Sequence, residues 1–266
     1  MLSTLELTRY SRNILLSEVG RKGQEKLKDS MVTVVGAGGL GSPVLYYLAA
    51  AGVGAIQIID SDKVDLTNLQ RQILYNTSSV NKDKAEEAES VLRSLNPNLS
   101  ILSQNARLTA SNIEGIFQGS NLIIEGSDNF ETKFLVNDAC HFLNIPLILA
   151  GILRFEGQVI GILPKQTSCY RCIFHSPPDA DSVPNCGEAG VIGSVAGIIG
   201  SIQVTESIKF LLGQEQGLFG SILSVDAKTM EFRKISIPKN KACPLCGENP
   251  SITKIEDIVL KTCDWE

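Results

Sequence analysis

Apolar and polar positions recur along this chain with two different periods, and the changes from one to the other mark out its elements. Residues 5–16 follow a helical period with Arg9 and Arg12 on the polar side, and Gly20 to Gly23 then break it. A helical arm over residues 1–30 is therefore expected ahead of the core. Met31-Val32-Thr33-Val34-Val35 is an unbroken, β-branched run of the kind found in a parallel strand buried on both faces. A small-residue helix at 42–51 follows, with Pro43 tolerable in its first turn, and then a strand at 55–60. Further helices are predicted at 82–95, where Asn96-Pro97 stops the chain, and at 131–143. Further strands are predicted near 99–102, 122–125 and 146–150.

This alternation winds a mostly parallel sheet with helices on both faces, a Rossmann-like doubly wound α/β core over residues 31–163. The pattern then changes. A strand at 156–163 leads into a Pro- and Ser-containing loop at 164–189, too long to be idle. Residues 190–247 carry a Gly/Ala-rich helix and two hairpin-like strands, 221–225 and 230–237, which extend the sheet antiparallel. The tail, 248–266, shows no informative pattern.

Composition narrows the class. The 266 residues are 43% hydrophobic and 20% charged, with a net charge of −5, as in an ordinary soluble globular protein. No dense Lys/Arg cluster provides a footprint for nucleic acid. The apolar run at 191–199 comes nearest to a membrane span, but Gly193, Ser194 and Gly197 interrupt it and Gln203, Glu206 and Lys209 follow, so it reads as a buried helix. The N-terminal residues do not resemble a signal peptide, and a cytoplasmic location is expected. In a reducing compartment the seven cysteines are thiols or metal ligands rather than disulfides.

The candidate chemistry begins at the glycine turn after the first strand. Gly36-x-Gly38-x-x-Gly41 allows close backbone approach to a phosphate at a helix N-terminus, and Asp60 ends the next strand where an acidic residue would bind a ribose hydroxyl. These residues fit NAD as well as ATP. The segment that follows separates the two, because Arg71 and Lys84 offer fixed positive charge where a departing pyrophosphate would develop negative charge. Asn68 adds a neutral donor. Asp128 follows the strand at 122–125, at a carboxyl end of the sheet, where a carboxylate could hold Mg²⁺.

Two cysteine pairs, Cys169-x-x-Cys172 and Cys243-x-x-Cys246, suit tetrahedral Zn²⁺, and four thiolates leave no open position for catalysis. A redox role for either pair is the rival reading. Cys186 lies just before the long helix, where a thiolate is favoured, although a small buried hydrophobe is an equal reading from the residues alone. Cys140 reads as a core residue and Cys263 as an incidental surface thiol, while His141 and His175 carry no motif.

Taken together, Gly36 to Gly41, Asn68-Leu69-Gln70-Arg71-Gln72, Gly126-Ser127-Asp128-Asn129 and Cys169-Tyr170-Arg171-Cys172 resemble the MoeB/ThiF adenylyltransferases, bacterial relatives of ubiquitin-activating enzymes, over about residues 5–247. The resemblance implies that Gly39, Asp60, Thr67, Asn68, Leu69, Gln70, Arg71, Lys84, Asp128 and Asn129 contact ATP or its metal. Asp60 would meet the ribose, Arg71 and Lys84 the phosphates, and Asp128 the Mg²⁺. It further implies a structural zinc and a homodimer in which Arg12 completes the partner's site.

The implied substrate is a ubiquitin-like sulfur-carrier protein, MoaD-like or ThiS-like, with a C-terminal Gly-Gly, in molybdopterin or thiamine biosynthesis. Cys186 would take part in sulfur transfer or a covalent carrier link in ThiF-like members and need not do so in MoeB-like ones. The segment after Gly247 is too short for a rhodanese domain, so a separate sulfur donor is expected. An NAD-dependent oxidoreductase and a non-catalytic zinc-stapled scaffold are the alternatives.

Overall fold

A computed structural model describes residues 1–179, 190–214 and 217–260. Cys186 and Cys263 lie outside the described residues. The N-terminal arm comprises three short helices, α1 (Thr4–Arg9), α2 (Ser11–Ile14) and α3 (Gly20–Lys28), rather than the one helix expected at 5–16. Tyr10 interrupts that helix because it is drawn into the core. Its ring occupies the space a side chain at Gly52 would fill, and its hydroxyl accepts from Asn96 Nδ2 at 2.8 Å. Gly20 and Gly23, expected to break helical structure, belong to α3 instead. A Cβ at Gly23 would lie 2.8 Å from Leu212 Cδ2, so glycine there permits close packing of two helices.

The core follows the predicted alternation: β1 (Met31–Val35), α4 (Gly41–Ala51), β2 (Ala55–Ile59), α5 (Lys84–Leu95), β3 (Ser100–Gln104), α6 (Ile113–Phe117), β4 (Leu122–Glu125), α7 (Phe130–Leu143), β5 (Leu147–Leu153) and β6 (Glu156–Ile162). Beyond these come α8 (Tyr170–Ile173), α9 (Gly193–Leu212), β7 (Ser221–Asp226) and β8 (Glu231–Ser236). Short helices α6 and α8 were not anticipated. The eight strands among the described residues form one sheet in the order β3-β2-β1-β4-β5-β6-β7-β8, parallel from β3 to β5 and antiparallel from β5 to β8.

Successive strand residues point to opposite faces, and both faces are covered. Val32, Val34, Ile56, Ile58 and Ile124 pack with Val44, Leu48, Leu92 and Ile199 in one apolar cluster. Val35, Ile59 and Ile123 join Ile113, Phe117, Phe134 and Ala139 in a second. Among the described residues α9 is the one helix long and apolar enough to cross a bilayer. It lies instead against α4, β5 and β6, with Val195, Ile199 and Val204 buried. Two buried polar side chains on it bond to neighbouring backbone: Gln203 Nε2 donates to Glu125 O at 2.9 Å, and Glu206 Oε2 accepts from Leu218 N at 2.7 Å.

Candidate nucleotide cleft and cysteine cluster

Strands β1 and β4 are neighbours, but the chain leaves β1 toward β2 on one side and β4 toward β5 on the other. Connections that diverge in this way open a crevice beyond the carboxyl ends of the strands, where open α/β sheets bind ligands. Two kinds of glycine build it. Gly36 has φ +89°, and a Cβ there would sit 3.1 Å from the Gly126 backbone; a Cβ at Gly41 would lie 2.0 Å from Gly36 O. These two make the turn possible. Gly38 and Gly39 instead line the cleft and leave room for Gln72 and Arg71, which approach the positions of their absent side chains at 3.5 and 3.4 Å.

The cleft occupies about 960 Å³ and is lined by Gly36, Gly38, Gly39, Asp60, Arg71, Lys84, Asp128 and Asn129. Eight candidates from distant parts of the chain thus converge on one space. The Asp60 carboxylate accepts from Ala37 N at 2.7 Å and from Asp62 N at 2.8 Å, holding the glycine turn to the end of β2. Burial pushes its carboxyl up, against the Lys84 charge and those two amides. Lys84, the first residue of α5, is buried, and its Nζ meets Asp62 Oδ2 at 2.9 Å. Asp62 is mostly exposed, so this pair leaves the ammonium available at low energetic cost.

Tyr75 ties these parts together, a role that no motif announces. Its buried hydroxyl lies 2.8 Å from Ala37 O and 3.1 Å from Lys84 O, joining the glycine turn to the head of α5. Burial pushes its phenol pKa far up, so the group is a neutral donor. Tyr75→Phe is expected to lower stability by about 1 kcal/mol, the net value of one hydrogen bond, when measured by urea denaturation. An unchanged midpoint would show that the bridge contributes nothing.

Arg71 follows the short 3₁₀ turn Leu66–Asn68, and its Nη1 donates to Thr67 O at 3.4 Å. Among the described residues no carboxylate pairs with it. Gln72, which also lines the cleft, donates through Nε2 to Asn68 Oδ1 at 3.1 Å, while its buried Oε1 has no protein partner. A buried acceptor without a partner beside a cleft is suited to a ligand donor. Thr67, Asn68, Leu69 and Gly41 do not line the cleft. Gln70 borders a separate pocket with Arg154 and Phe155. Arg12, on α2, is exposed and lies outside the cleft of its own chain.

Asp128 is exposed at the tip of the loop after β4, and the side chain of Asn129 caps α7 by accepting from Thr132 N at 2.8 Å. A buried ion pair shapes this loop. Lys133 Nζ contacts Glu125 Oε2 at 2.6 Å, Ser127 O at 2.8 Å and Ala150 O at 2.7 Å. Glu125 Oε1 accepts from Ser127 N at 2.7 Å and from the Ser127 hydroxyl. Burial pushes the Glu125 carboxyl up, while Lys133 and the Ser127 donors oppose the shift. Asp128 is left free to meet a cation, on a loop whose backbone is fixed from beneath.

The four predicted cysteines converge, with all their sulfurs within 4.8 Å of one another. Three separations are 3.9 Å for Cys169–Cys172, 3.6 Å for Cys169–Cys243 and 3.3 Å for Cys172–Cys246. A tetrahedral zinc with its usual bond lengths sets sulfurs about 3.8 Å apart, so the donor set and spacing fit that ion. Between the first two cysteines, Arg171 grips buried Asp138 of α7 through Nε and Nη2, both at 2.7 Å, and Tyr170 N donates to Asn137 Oδ1 at 2.8 Å. Tyr170 and Phe174 also line the cleft. Cys140 is buried apart from the cluster, and His175 bonds only Asn240 among the side chains described.

A doubly wound sheet whose crevice gathers Arg71 and Lys84 around a phosphate-type turn is the architecture of a nucleotide-binding enzyme of the phosphate-transferring kind. The chain belongs to the ThiF family, whose description matches residues 10–245, and it is an adenylyltransferase. The SAMP-activating enzyme E1 of Haloferax volcanii is 44% identical over 257 residues, covering 97% of this chain and 94% of that protein. The sulfur carrier protein adenylyltransferase of Thermus thermophilus is 43% identical over 257 residues and 95% of both chains. A crystal structure of E. coli MccB with ATP shares the fold, with a TM-score of 0.78 over 90% of this chain and 74% of that one at 24% identity. The oxidoreductase and scaffold alternatives fall with this assignment.

Proposed function

We propose that this enzyme adenylylates the C-terminal glycine carboxylate of a ubiquitin-like sulfur-carrier protein, MoaD-like or ThiS-like. The observation that carries the reading is the meeting of Arg71 and Lys84, on separate elements, at the glycine turn of the cleft. The names of the Haloferax and Thermus relatives support the choice of substrate. Asp60 would bind the ribose, and Arg71 and Lys84 the phosphates. Asp128 would hold Mg²⁺, which supplies charge neutralisation at the phosphates.

The carrier carboxylate, ionised near neutral pH, needs no general base. It forms a bond to the α-phosphorus of ATP as the bond to the β-phosphate oxygen breaks, and the electron pair leaves with pyrophosphate. Alignment and preorganised positive charge are then the enzyme's main contributions. The four cysteines would hold a structural zinc. Exposed Arg12 would complete the site of a second subunit in a homodimer, and a separate sulfur donor would convert the acyl-adenylate to a thiocarboxylate in the cytoplasm. Cys186 serves that later step if the chain is ThiF-like. Molybdopterin and thiamine synthesis both use this chemistry.

Carrier-dependent exchange of labelled pyrophosphate into ATP tests the proposal. Exchange is expected with a MoaD-like or a ThiS-like carrier, and its absence with both would overturn the reading. The carrier that works also selects the pathway.

A further inference from the structure

Residues 248–260, beyond the second cysteine pair, have no regular secondary structure, yet they are laid down in an ordered way. Ile252 N donates to Pro244 O at 2.9 Å, starting the segment against the cysteine knuckle. Every third residue then turns inward: Ile252, Ile255 and Ile258 are half-buried against the cluster that contains Leu108, Ile113 and Phe117. Asp257 Oδ1 accepts from Ala110 N at 2.7 Å, fixing the segment beside the chain that leaves β3. Three residues later, Leu260 lines the nucleotide cleft.

The position of Leu260 along the cleft follows from the order of the strands. Proceeding from β4 through β1 and β2 to β3, the cleft wall offers Asp128, the glycine turn, Asp60 and then Ala106, Arg107 and Leu108. Resting on the ATP reading above, phosphates at the turn and ribose at Asp60 direct the base outward, toward the exit of β3. Asp257 is held at that exit, and three residues of chain extend at most about 11 Å. Leu260 therefore falls at the base end of the cleft and not at the end lined by Leu153 and Glu156.

We infer that residues 252–260 form a strap that completes the base end of the nucleotide cleft, with Leu260 as an apolar contact for adenine. The isoleucines and Asp257 hold the strap, while Leu260 touches the ligand. Residues 247–251, on the knuckle side, do not line the cleft.

The test uses the full chain carrying Leu260→Ala, with the exposed neighbour Val259→Ala as control. Carrier-dependent pyrophosphate exchange gives KM for ATP and for the carrier, and calorimetry gives the Kd for ATP with Mg²⁺. Leu260→Ala is expected to raise both ATP constants about fivefold while kcat and the carrier KM stay within about twofold, and Val259→Ala should match wild type. ATP binding as tight as wild type in the Leu260→Ala protein would overturn the strap. Should the wild-type enzyme show no exchange with either carrier, the adenylylation reading fails, and calorimetry still decides the strap on ATP affinity alone.

Discussion

Arg71→Ala and Lys84→Ala are each expected to lower carrier-dependent pyrophosphate exchange by at least about tenfold, the scale of one lost charge contact to a transition state. The two positions should fail differently. Arg71 is only partly buried and pairs with no carboxylate among the described residues, so its removal should leave thermal stability almost unchanged. Lys84 is 5% exposed and packed at the head of α5, so its loss should also soften the junction with the glycine turn that Tyr75 maintains. On the proposed reading both charges act on the same phosphates, so the double variant should lose less than the product of the single losses. Wild-type exchange in both single variants would remove them from the reaction.

Much of this site was legible in the sequence because its chemistry is tied to local pattern. Unbroken runs such as Met31–Val35 identify strands buried on both faces, and a glycine turn directly after one fixes a ligand site at the sheet's end. What stayed hidden depends on tertiary partners. Glu125 terminates an apolar strand, and only Lys133 folding over it turns that charge into a buried brace for the Asp128 loop. Tyr75 carries no motif, and its role shows only where the glycine turn comes to lie against it. Tyr10 broke a helix that its own periodicity favours because burying its ring beside Gly52 outweighed one helical turn. The spacing Ile252, Ile255, Ile258 matches neither a helix nor a strand, so periodicity alone assigns that segment no element.

The largest effect on stability is expected at the cysteine knuckle. Cys169→Ser removes one sulfur from the four-cysteine cluster, and Asp138→Ala leaves the Arg171 guanidinium buried without its counter-charge. Breaking a buried pair of that kind costs about 3–5 kcal/mol, or about 10 °C in Tm for a chain of this size. Zinc content near one per chain, and a Tm that falls on chelation, are expected for the wild type; metal-free protein with an unchanged Tm would refute the knuckle as a zinc site. The same variants should weaken ATP binding as well. Arg171 and Asp138 join the first cysteine pair to α7, the helix whose first turn carries the Asp128 loop, and Tyr170 and Phe174 of the knuckle form part of the cleft wall. A zinc held by these four cysteines would have no open coordination position for chemistry and would still reach the nucleotide site, through the side chains its ligands hold in place.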